Sequence, residues 1–207
     1  MITPSTSVID IGANVGFFTR RFARWVSGGG RVIALEPEPK NFEALVRVID
    51  RRGLSAVVDP VQAAAAETEG TVFLKLNPDN PADHRLAQDG ISVPMVTIDG
   101  LMAERGWPRV SLIKIDVQGA EFRVLQGAGQ TIERSRPTLF IEVDDAHLRL
   151  AGCSAEMLLR HIVGLGYSAH LLTRSGLSPV IPVEELLAGL TGSKSYADVL
   201  FIPLRPV

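Results

Sequence analysis

The stretch DIGANVG at residues 10–16 joins a β-branched run, SVIDI at residues 7–11, to an amphipathic segment at residues 17–26. Glycines in such a stretch permit a tight turn and let a ligand approach the backbone closely. The free N–H groups at the start of the following helix suit a carboxylate or a phosphate. The stretch therefore predicts a strand, a turn and a helix that open a ligand-binding α/β fold, with the ligand beyond the carboxyl end of the strand.

Short apolar runs alternate with amphipathic segments along the rest of the chain. Further strands are predicted at residues 31–35, 56–61, 71–76, 91–98, 111–115, 138–143, 168–173 and 198–204. Further helices are predicted at residues 41–52, 99–105, 120–126, 154–165 and 183–190, with Asp99 and Ser154 as N-caps. The alternation predicts an α/β fold with a doubly wound, mostly parallel sheet in one domain of residues 1–207. The last two strands could pair antiparallel at an edge of that sheet.

The composition disfavours several classes of protein. The chain has 207 residues, 46% hydrophobic side chains and a formal net charge of -2, which suits neither a nucleic-acid-binding protein nor a disordered one. It holds no run of about 18 apolar residues that could span a bilayer, and its first residues do not resemble a secretory signal. The single cysteine, Cys153, forbids an internal disulfide and a cysteine-cluster metal site. We expect a cytoplasmic protein with no nucleic-acid partner and no membrane span.

A carboxylate ends the second predicted strand. Glu36 follows Gly16 by 20 residues, a spacing at which an acid accepts hydrogen bonds from the two hydroxyls of a ribose. A glycine-rich turn alone would also fit a connection that binds no ligand. With Asp10 before the turn and Glu36 after the next helix, nucleoside binding is the stronger interpretation.

The turn favours S-adenosyl-L-methionine over a dinucleotide. In the dinucleotide fingerprint the second glycine makes room for a pyrophosphate, and Asn14 holds that position here. Asp10 would repel a pyrophosphate, whereas it would suit the ammonium group of an amino acid. A nucleotide-dependent oxidoreductase is the alternative enzyme. A cofactor-binding module without catalysis, acting in a complex, is the alternative outside the enzymes.

Four segments resemble the FkbM-family methyltransferases: DIGANVGFFT at 10–19, ALEPEPKNF at 34–42, LIKIDVQGAEFRVLQGA at 112–128 and PTLFIEV at 137–143. The resemblance implies a class I methyltransferase (Rossmann-like) fold, in which a seven-stranded sheet carries an antiparallel edge strand. It also implies transfer of a methyl group from S-adenosyl-L-methionine, usually to a hydroxyl oxygen. The acceptors of the family are sugars, lipids and natural products, so we expect a small-molecule or glycan hydroxyl as the partner.

Cofactor-binding residues are predicted along the first turn and after the strands that follow it. The turn and Asp10 would hold the methionine part, Glu36 the ribose, and Gln62 the adenine, although Gln62 could equally be a solvated loop residue. The full predicted set is Asp10, Gly12, Ala13, Asn14, Gly16, Glu36, Pro37, Gln62, Ala63 and Asp116.

Candidate catalytic residues lie after the fourth and fifth strands of the implied fold, which face the methyl group. Proton removal from a hydroxyl calls for a nearby base, and Asp116 and Glu142 are the first candidates. His84, in the polar segment 77–85, is a further candidate base. The structural alternatives are an N-cap for Asp116, a partner of the helix dipole for Glu121, and an exposed turn cluster for the segment 77–85.

Other polar side chains carry weaker predictions. Arg85 could bind a phosphate or carboxylate of the acceptor, and His147 could touch the acceptor. The four acids that could hold Mg²⁺ are Asp116, Glu142, Asp144 and Asp145. They form no compact ligand motif, and no metal is predicted.

Two features depart from the family pattern. Gln118 stands where the family often has Glu, which leaves the role of that position open. The chain also starts almost on its first strand, whereas many relatives have an N-terminal extension that helps cover the active site. We therefore expect that the acceptor site is more open, or that a second subunit of a homodimer or the segment 77–90 covers it.

Overall fold

The structure, a computed structural model, describes residues 2–26, 28–77, 84–173, 175–190 and 196–204. Its strands are β1 (Ser7–Ile11), β2 (Val32–Leu35), β3 (Val58–Val61), β4 (Ala64–Ala65), β5 (Gly70–Lys75), β6 (Arg85–Ala87), β7 (Ile91–Val96), β8 (Val110–Ile115), β9 (Thr138–Asp144), β10 (Tyr167–Thr173), β11 (Gly176–Leu177) and β12 (Tyr196–Pro203). Its helices are α1 (Thr19–Trp25), α2 (Pro39–Arg51), α3 (Ile98–Glu104), α4 (Glu121–Gln126), α5 (Gly129–Ser135), α6 (Asp145–Leu150), α7 (Ala155–Gly164) and α8 (Val183–Gly189).

The described residues form a main sheet of eight strands in the order β11-β10-β12-β9-β8-β1-β2-β3. The five strands from β9 to β3 run parallel, as the alternation of strands and helices predicted. β12 pairs antiparallel with both β10 and β9, so the predicted antiparallel pairing of the last two long strands is confirmed.

The prediction of a seven-stranded sheet with an antiparallel edge strand is wrong in two respects. β11 adds an eighth strand, and its two residues are too few to show a hydrophobic period in the sequence. The antiparallel strand β12 lies between β9 and β10 rather than at the edge. Val199, Leu200 and Phe201 of β12 are all buried, because apolar layers pack on both faces of the sheet at this strand.

The parallel strands bury both of their faces because alternate side chains pack into two apolar layers. Ile9 and Ile11 belong to the layer formed with α3, α4, α5, α7 and α8, whereas Val8 belongs to the layer formed with α1 and α2. The same alternation places Asp10 and Lys114, which are paired in register across β1 and β8, on the side of α1 and α2.

A smaller sheet of the described residues has the order β4-β7-β5-β6. Its strands β5 and β7 confirm the strands predicted at 71–76 and 91–98, and they pair antiparallel. The connection between β5 and β6 includes residues 78–83 of the polar segment 77–85, and these six residues lie outside the described part of the chain. Leu74 and Leu86 of this sheet face the carboxyl edge of the main sheet, where they line a cavity.

Helix ends confirm one predicted cap and correct another. Ser154 Oγ accepts a hydrogen bond from Met157 N at 3.2 Å, so Ser154 is the N-cap of α7 as predicted. The prediction that Asp99 caps the third helix is wrong, because Thr97 Oγ1 accepts from Gly100 N at 2.9 Å at the start of α3. None of the helices among the described residues is long and apolar enough to cross a membrane.

Candidate functional site

A cavity of about 290 Å³ opens at the carboxyl ends of β1, β2, β8 and β9. Ligands of open α/β sheets bind at this edge. The predicted site residues that line it are Gly12, Ala13, Asn14, Glu36, Pro37, Ala63, His84, Asp116 and Glu142. Among the described residues, the predicted cofactor-binding and catalytic positions that do not line it are Asp10, Gly16 and Gln62. The structure thus brings most of the predicted cofactor-binding and catalytic residues to one cavity.

Backbone geometry explains the glycines of the first turn. Gly12 has a φ of 75°, and a Cβ there would overlap the carbonyl oxygen of Asp116. Gly16 has a φ of 88°, and a Cβ there would lie 2.9 Å from Leu45 Cδ1 of α2. Gly12 therefore lets β1 and β8 end close together at the cavity, whereas Gly16 serves the packing of α2 against the turn.

Glu36 holds the first turn against the end of β2. Its Oε2 accepts a hydrogen bond from Asn14 N at 2.8 Å, and its Oε1 accepts one from Glu38 N at 3.0 Å. The residue lines the cavity although it is only 5% exposed. Burial raises the pKa of Glu36 above its usual value, while the two backbone N–H donors act in the opposite direction. A carboxylate in this place can accept further hydrogen bonds from a ligand in the cavity.

Asp10 lies beneath the turn instead of at the cavity wall. It is 0% exposed, and its Oδ2 accepts a hydrogen bond from Thr19 Oγ1 at 2.6 Å. The ammonium group of Lys114 lies 3.6 Å from Asp10 Oδ1. The sequence predicted that Asp10 lies near the ammonium group of the cofactor, whereas in the structure the neighbouring ammonium group is that of Lys114.

Lys114 lines the cavity, and sequence reasoning did not place it in the site. Its Nζ donates a hydrogen bond to Gly12 O at 3.1 Å and lies 3.2 Å from Asp116 Oδ2. Burial lowers the pKa of Lys114, but the carboxylates of Asp10 and Asp116 outweigh this and raise it above its usual value. Asp116 follows β8 two positions after Lys114, whereas the pairing of Lys114 with Asp10 depends on the register of β1 and β8.

Three carboxylates lie side by side across the carboxyl edge of the main sheet. Asp116 follows β8, Glu142 lies in β9, and Asp198 of β12 is the register partner of Glu142. Gln118 Nε2 donates to Glu142 Oε2 at 3.2 Å and to Asp116 Oδ1 at 3.4 Å. Burial, with the charges of Asp116, Asp198 and Glu121, raises the pKa of Glu142 to about 7. Glu142 is therefore able to exchange a proton near neutral pH.

Glu121 is buried at the start of α4 and is 2% exposed. Its Oε1 accepts hydrogen bonds from Val117 N at 3.2 Å and Gly119 N at 3.1 Å, which close the turn before the helix. Burial raises the pKa of Glu121 to about 7. Because α4 begins at Glu121 after Ala120, the alternative of Asp116 as the N-cap of this helix is wrong.

His84 lines the cavity, but its hydrogen bonding limits its use as a base. Asn77 N donates to His84 Nδ1 at 3.0 Å. The lone pair of Nδ1 is therefore already engaged by a backbone N–H. The carboxylate of Glu142 is another candidate base at this edge of the sheet.

Several other predicted polar residues have structural contacts. Arg85 Nη2 lies 2.8 Å from His147 Nε2, which joins β6 to α6. Asp144 caps α6 by accepting from Ala146 N at 2.9 Å, and Asp145 accepts from Ala155 N at 2.8 Å. Among the described residues, no group of three or more histidine, cysteine, aspartate or glutamate side chains is placed to hold a metal ion.

The wall of the cavity that follows β3 is lined by small residues. Gln62, the predicted adenine partner, is exposed and lies outside the lining within the described part of the chain. Ala63, Ala64 and Ala65 line the cavity instead and are buried. Sequence reasoning named only the first of these alanines, although the run of alanines after β3 was visible as a segment without bulky side chains.

Comparison with known proteins identifies relatives of most of the chain. The Methyltransferase FkbM domain model matches residues 10–168. The chain is 31% identical over 160 residues to 31-O-demethyl-FK506 methyltransferase FkbM of Streptomyces tacrolimicus. The matching region covers 61% of this chain and 60% of that protein. The chain is also 27% identical over 165 residues to 2-O-methyltransferase NoeI of Sinorhizobium fredii. Here the matching region covers 70% of this chain and 66% of that protein. The chain thus spans less than two-thirds of the length of these relatives.

The fold is shared with a solved structure. Methyltransferase FkbM from Methylobacillus flagellatus KT matches with a TM-score of 0.63 and 20% sequence identity, over 97% of this chain and 44% of that chain. The likeness shows a class I methyltransferase-like α/β fold, as the resemblance of the sequence implied.

Proposed function

Because the chain belongs to the FkbM methyltransferase domain family, we propose that it transfers a methyl group from S-adenosyl-L-methionine to a hydroxyl oxygen of a sugar, lipid or natural-product acceptor. The names of two relatives, a 31-O-demethyl-FK506 methyltransferase and a 2-O-methyltransferase, support oxygen as the receiving atom. The observation that carries the proposal is one cavity with Glu36 on one wall and Glu142 on another. Residues 1–207 are proposed to act as a single methyltransferase domain.

The chemistry of the cavity wall fits S-adenosyl-L-methionine. Glu36 offers carboxylate oxygens for the ribose hydroxyls, and each oxygen accepts a backbone N–H that helps to hold it in place. The alanines that follow β3 leave a slot without bulky side chains for the adenine. The turn at Gly12 and Asn14 brings backbone close to the methionine part. Asp10 contributes indirectly, because it holds Lys114 beneath this turn.

The residues at the acceptor end are suited to remove a proton. The bound cofactor supplies an electrophilic methyl group. Glu142 takes the proton of the acceptor hydroxyl onto its carboxylate, since a pKa of about 7 leaves a sizeable ionised fraction at neutral pH. Gln118 holds the carboxylates of Glu142 and Asp116 in place, and the Lys114 ammonium offsets the charge of Asp116.

Binding of S-adenosylhomocysteine tests the role of Glu36. Glu36→Ala removes the acceptor of the ribose hydroxyls, and Glu36→Gln keeps its size while removing its charge. We expect the affinity to fall by about tenfold to a hundredfold in the first variant and less in the second, because hydrogen bonds to a charged group contribute about 1.5–3 kcal/mol. Isothermal titration calorimetry measures the dissociation constants.

The matched control is Glu43→Ala, which removes an exposed glutamate of α2 that pairs with Arg47 on the surface of this helix. This variant is expected to bind S-adenosylhomocysteine like the parent. Thermal unfolding of all variants shows whether the turn held by Glu36 stays folded. Unchanged affinity in a folded Glu36→Ala variant would contradict the ribose assignment.

A further inference from the structure

A second cavity, of about 310 Å³, lies between the small sheet and the helices α4 and α6. Val72 of β5 and Gln88 after β6 line it from the side of the small sheet. Three of the described residues, Leu86, Gln118 and Ala120, line both cavities. The two spaces therefore adjoin each other, and Gln118 stands at their junction.

The walls of the second cavity combine aliphatic and amide surfaces. Val72 and Leu86 are partly buried, and Leu150 at the rim is 73% exposed. Gln88 and Gln118 add amide groups, which both donate and accept hydrogen bonds. Such a surface suits a hydroxylated ring or chain, because its C–H face can pack against the aliphatic groups while its hydroxyls bind the amides.

The charge of the second cavity is already balanced. Arg123 is the one charged side chain among the described residues that line it. Its Nε and a terminal nitrogen donate to the carboxylate of Glu67 at 2.6 and 2.9 Å. The hydrogen bond from Arg123 lowers the pKa of Glu67, so this pair stays ionised at neutral pH. An anionic ligand would have to displace Glu67 in order to use the Arg123 charge.

We propose that the second cavity binds the non-reacting part of the methyl acceptor, and that this part is an uncharged, hydroxylated group with an apolar face. Its reacting hydroxyl reaches Glu142 past Gln118, whose amide lies at the junction and 3.2 Å from the Glu142 carboxylate. This assignment rests on the proposed methyltransferase function, because it takes Glu142 as the base at the acceptor.

Two matched glycosides test the assignment: n-hexyl β-D-glucopyranoside, which is uncharged, and n-hexyl β-D-glucuronide, which is anionic. Each is titrated into the isotope-labelled full chain with S-adenosylhomocysteine present, and amide chemical shifts report both affinity and position. We expect the glucoside to shift the amides of Gln88 and Leu150 and to bind more tightly than the glucuronide.

Two tryptophan substitutions in and just after α6 show whether binding occurs in the second cavity or on the surface near it. Ala151 lines the second cavity but not the first, and it is exposed, so Ala151→Trp fills the cavity without disturbing the core. We expect this variant to bind the glucoside about tenfold or more weakly, because a large side chain occupies the same space. Ala146→Trp, at an exposed position of α6 outside the lining, is expected to bind it like the parent.

The outcomes distinguish this assignment from the function on which it rests. S-adenosylhomocysteine is titrated first, without a glycoside, and failure of the parent chain to bind it would count against the proposed function. With that binding intact, three results would each overturn the assignment: no binding of the glucoside, equal binding by Ala151→Trp and the parent, or tighter binding of the glucuronide.

Discussion

Gln118 has a left-handed backbone, with a φ of 54°, and this conformation turns the chain at the end of β8. Its side-chain amide reaches two carboxylates on neighbouring strands, Asp116 and Glu142. An amide can donate to both, whereas a glutamate at this position would add another negative charge beside them. The amide at residue 118 therefore has an electrostatic consequence at the edge where the candidate base lies.

Gln118→Glu is expected to raise the pKa of Glu142. The change removes an N–H donor that favours the ionised form and adds a like charge nearby, so the pKa rises above about 7, by on the order of one pH unit. A carboxyl-carbon NMR titration measures this, with the Glu142 signal assigned from its loss in Glu142→Gln.

The matched control is Gln126→Glu, which adds the same charge at the exposed end of α4. Glu142 is expected to titrate in this variant as it does in the parent. If the Glu142 titration in Gln118→Glu coincided with that of the parent, the bridge between the two carboxylates would have no electrostatic role.

Among the elements, α3 and α5 are joined by a side chain that sequence reasoning assigned to the wrong helix. Asp99 lies in the first turn of α3, but its carboxylate accepts from Gln130 N at 2.9 Å and from Thr131 N at 2.8 Å at the start of α5. It also accepts from Thr131 Oγ1 at 2.7 Å. Two residues of the cap-forming type, Thr97 and Asp99, lie two apart, and only the packing of α3 against α5 decides which helix each one caps.

Asp99→Ala is expected to lower the free energy of unfolding by about 1–2 kcal/mol, because it removes the cap of α5 and leaves the buried Thr131 hydroxyl without this acceptor. Urea unfolding, followed by far-ultraviolet circular dichroism, measures the difference. Asp89→Ala, at an exposed position between β6 and β7, is the control and is expected to change stability little. Equal losses in the two variants would show that the contact with α5 adds nothing to stability.

At the scale of the whole molecule, buried acids make stability depend on pH near neutrality. Glu121 has a pKa of about 7 in the folded chain, against an ordinary value of 4.5. The folded state therefore binds more protons than the unfolded state between these two values, and the free energy of unfolding falls as the pH rises through this window. Among the described residues, Glu121 Oε2 has no hydrogen-bond partner to offset the cost of its charge.

Glu121→Gln is expected to remove part of this pH dependence. The amide keeps an oxygen for the N–H groups of Val117 and Gly119 but carries no charge. At about pH 8 we expect the variant to be more stable than the parent, by on the order of 2–3 kcal/mol, and at about pH 4.5 we expect a small difference. Urea unfolding across this range measures it. Glu133→Gln on the exposed face of α5 is the control, and a gain that did not grow with pH would contradict the interpretation.

Much of this architecture could be predicted because the sequence patterns that indicate its strands, turns and helices each lie within a short segment. The five parallel strands, the turn at residues 10–16 and Glu36 all follow from runs, periods and spacings within short segments. The strand β11 could not be predicted in this way, because its two residues are too few to show a hydrophobic period. The interior position of β12 could not be predicted either, because the sequence of a strand does not show which strands pair with it. The choice between the two interpretations of Gln62 could not be made for a related reason: the direction of a loop side chain depends on what packs beside it.

The sequence by itself determined the class of fold and the edge at which a ligand would bind, since strand–turn–helix signals act over a few residues. Only the tertiary structure decided which charges meet at that edge. Lys114 faces Asp10 because β1 and β8 pair in one register across about a hundred residues of chain, and Glu142 faces Asp198 because β9 and β12 pair in another. Those pairings follow from the packing of the whole sheet, because register is set by which faces are buried together.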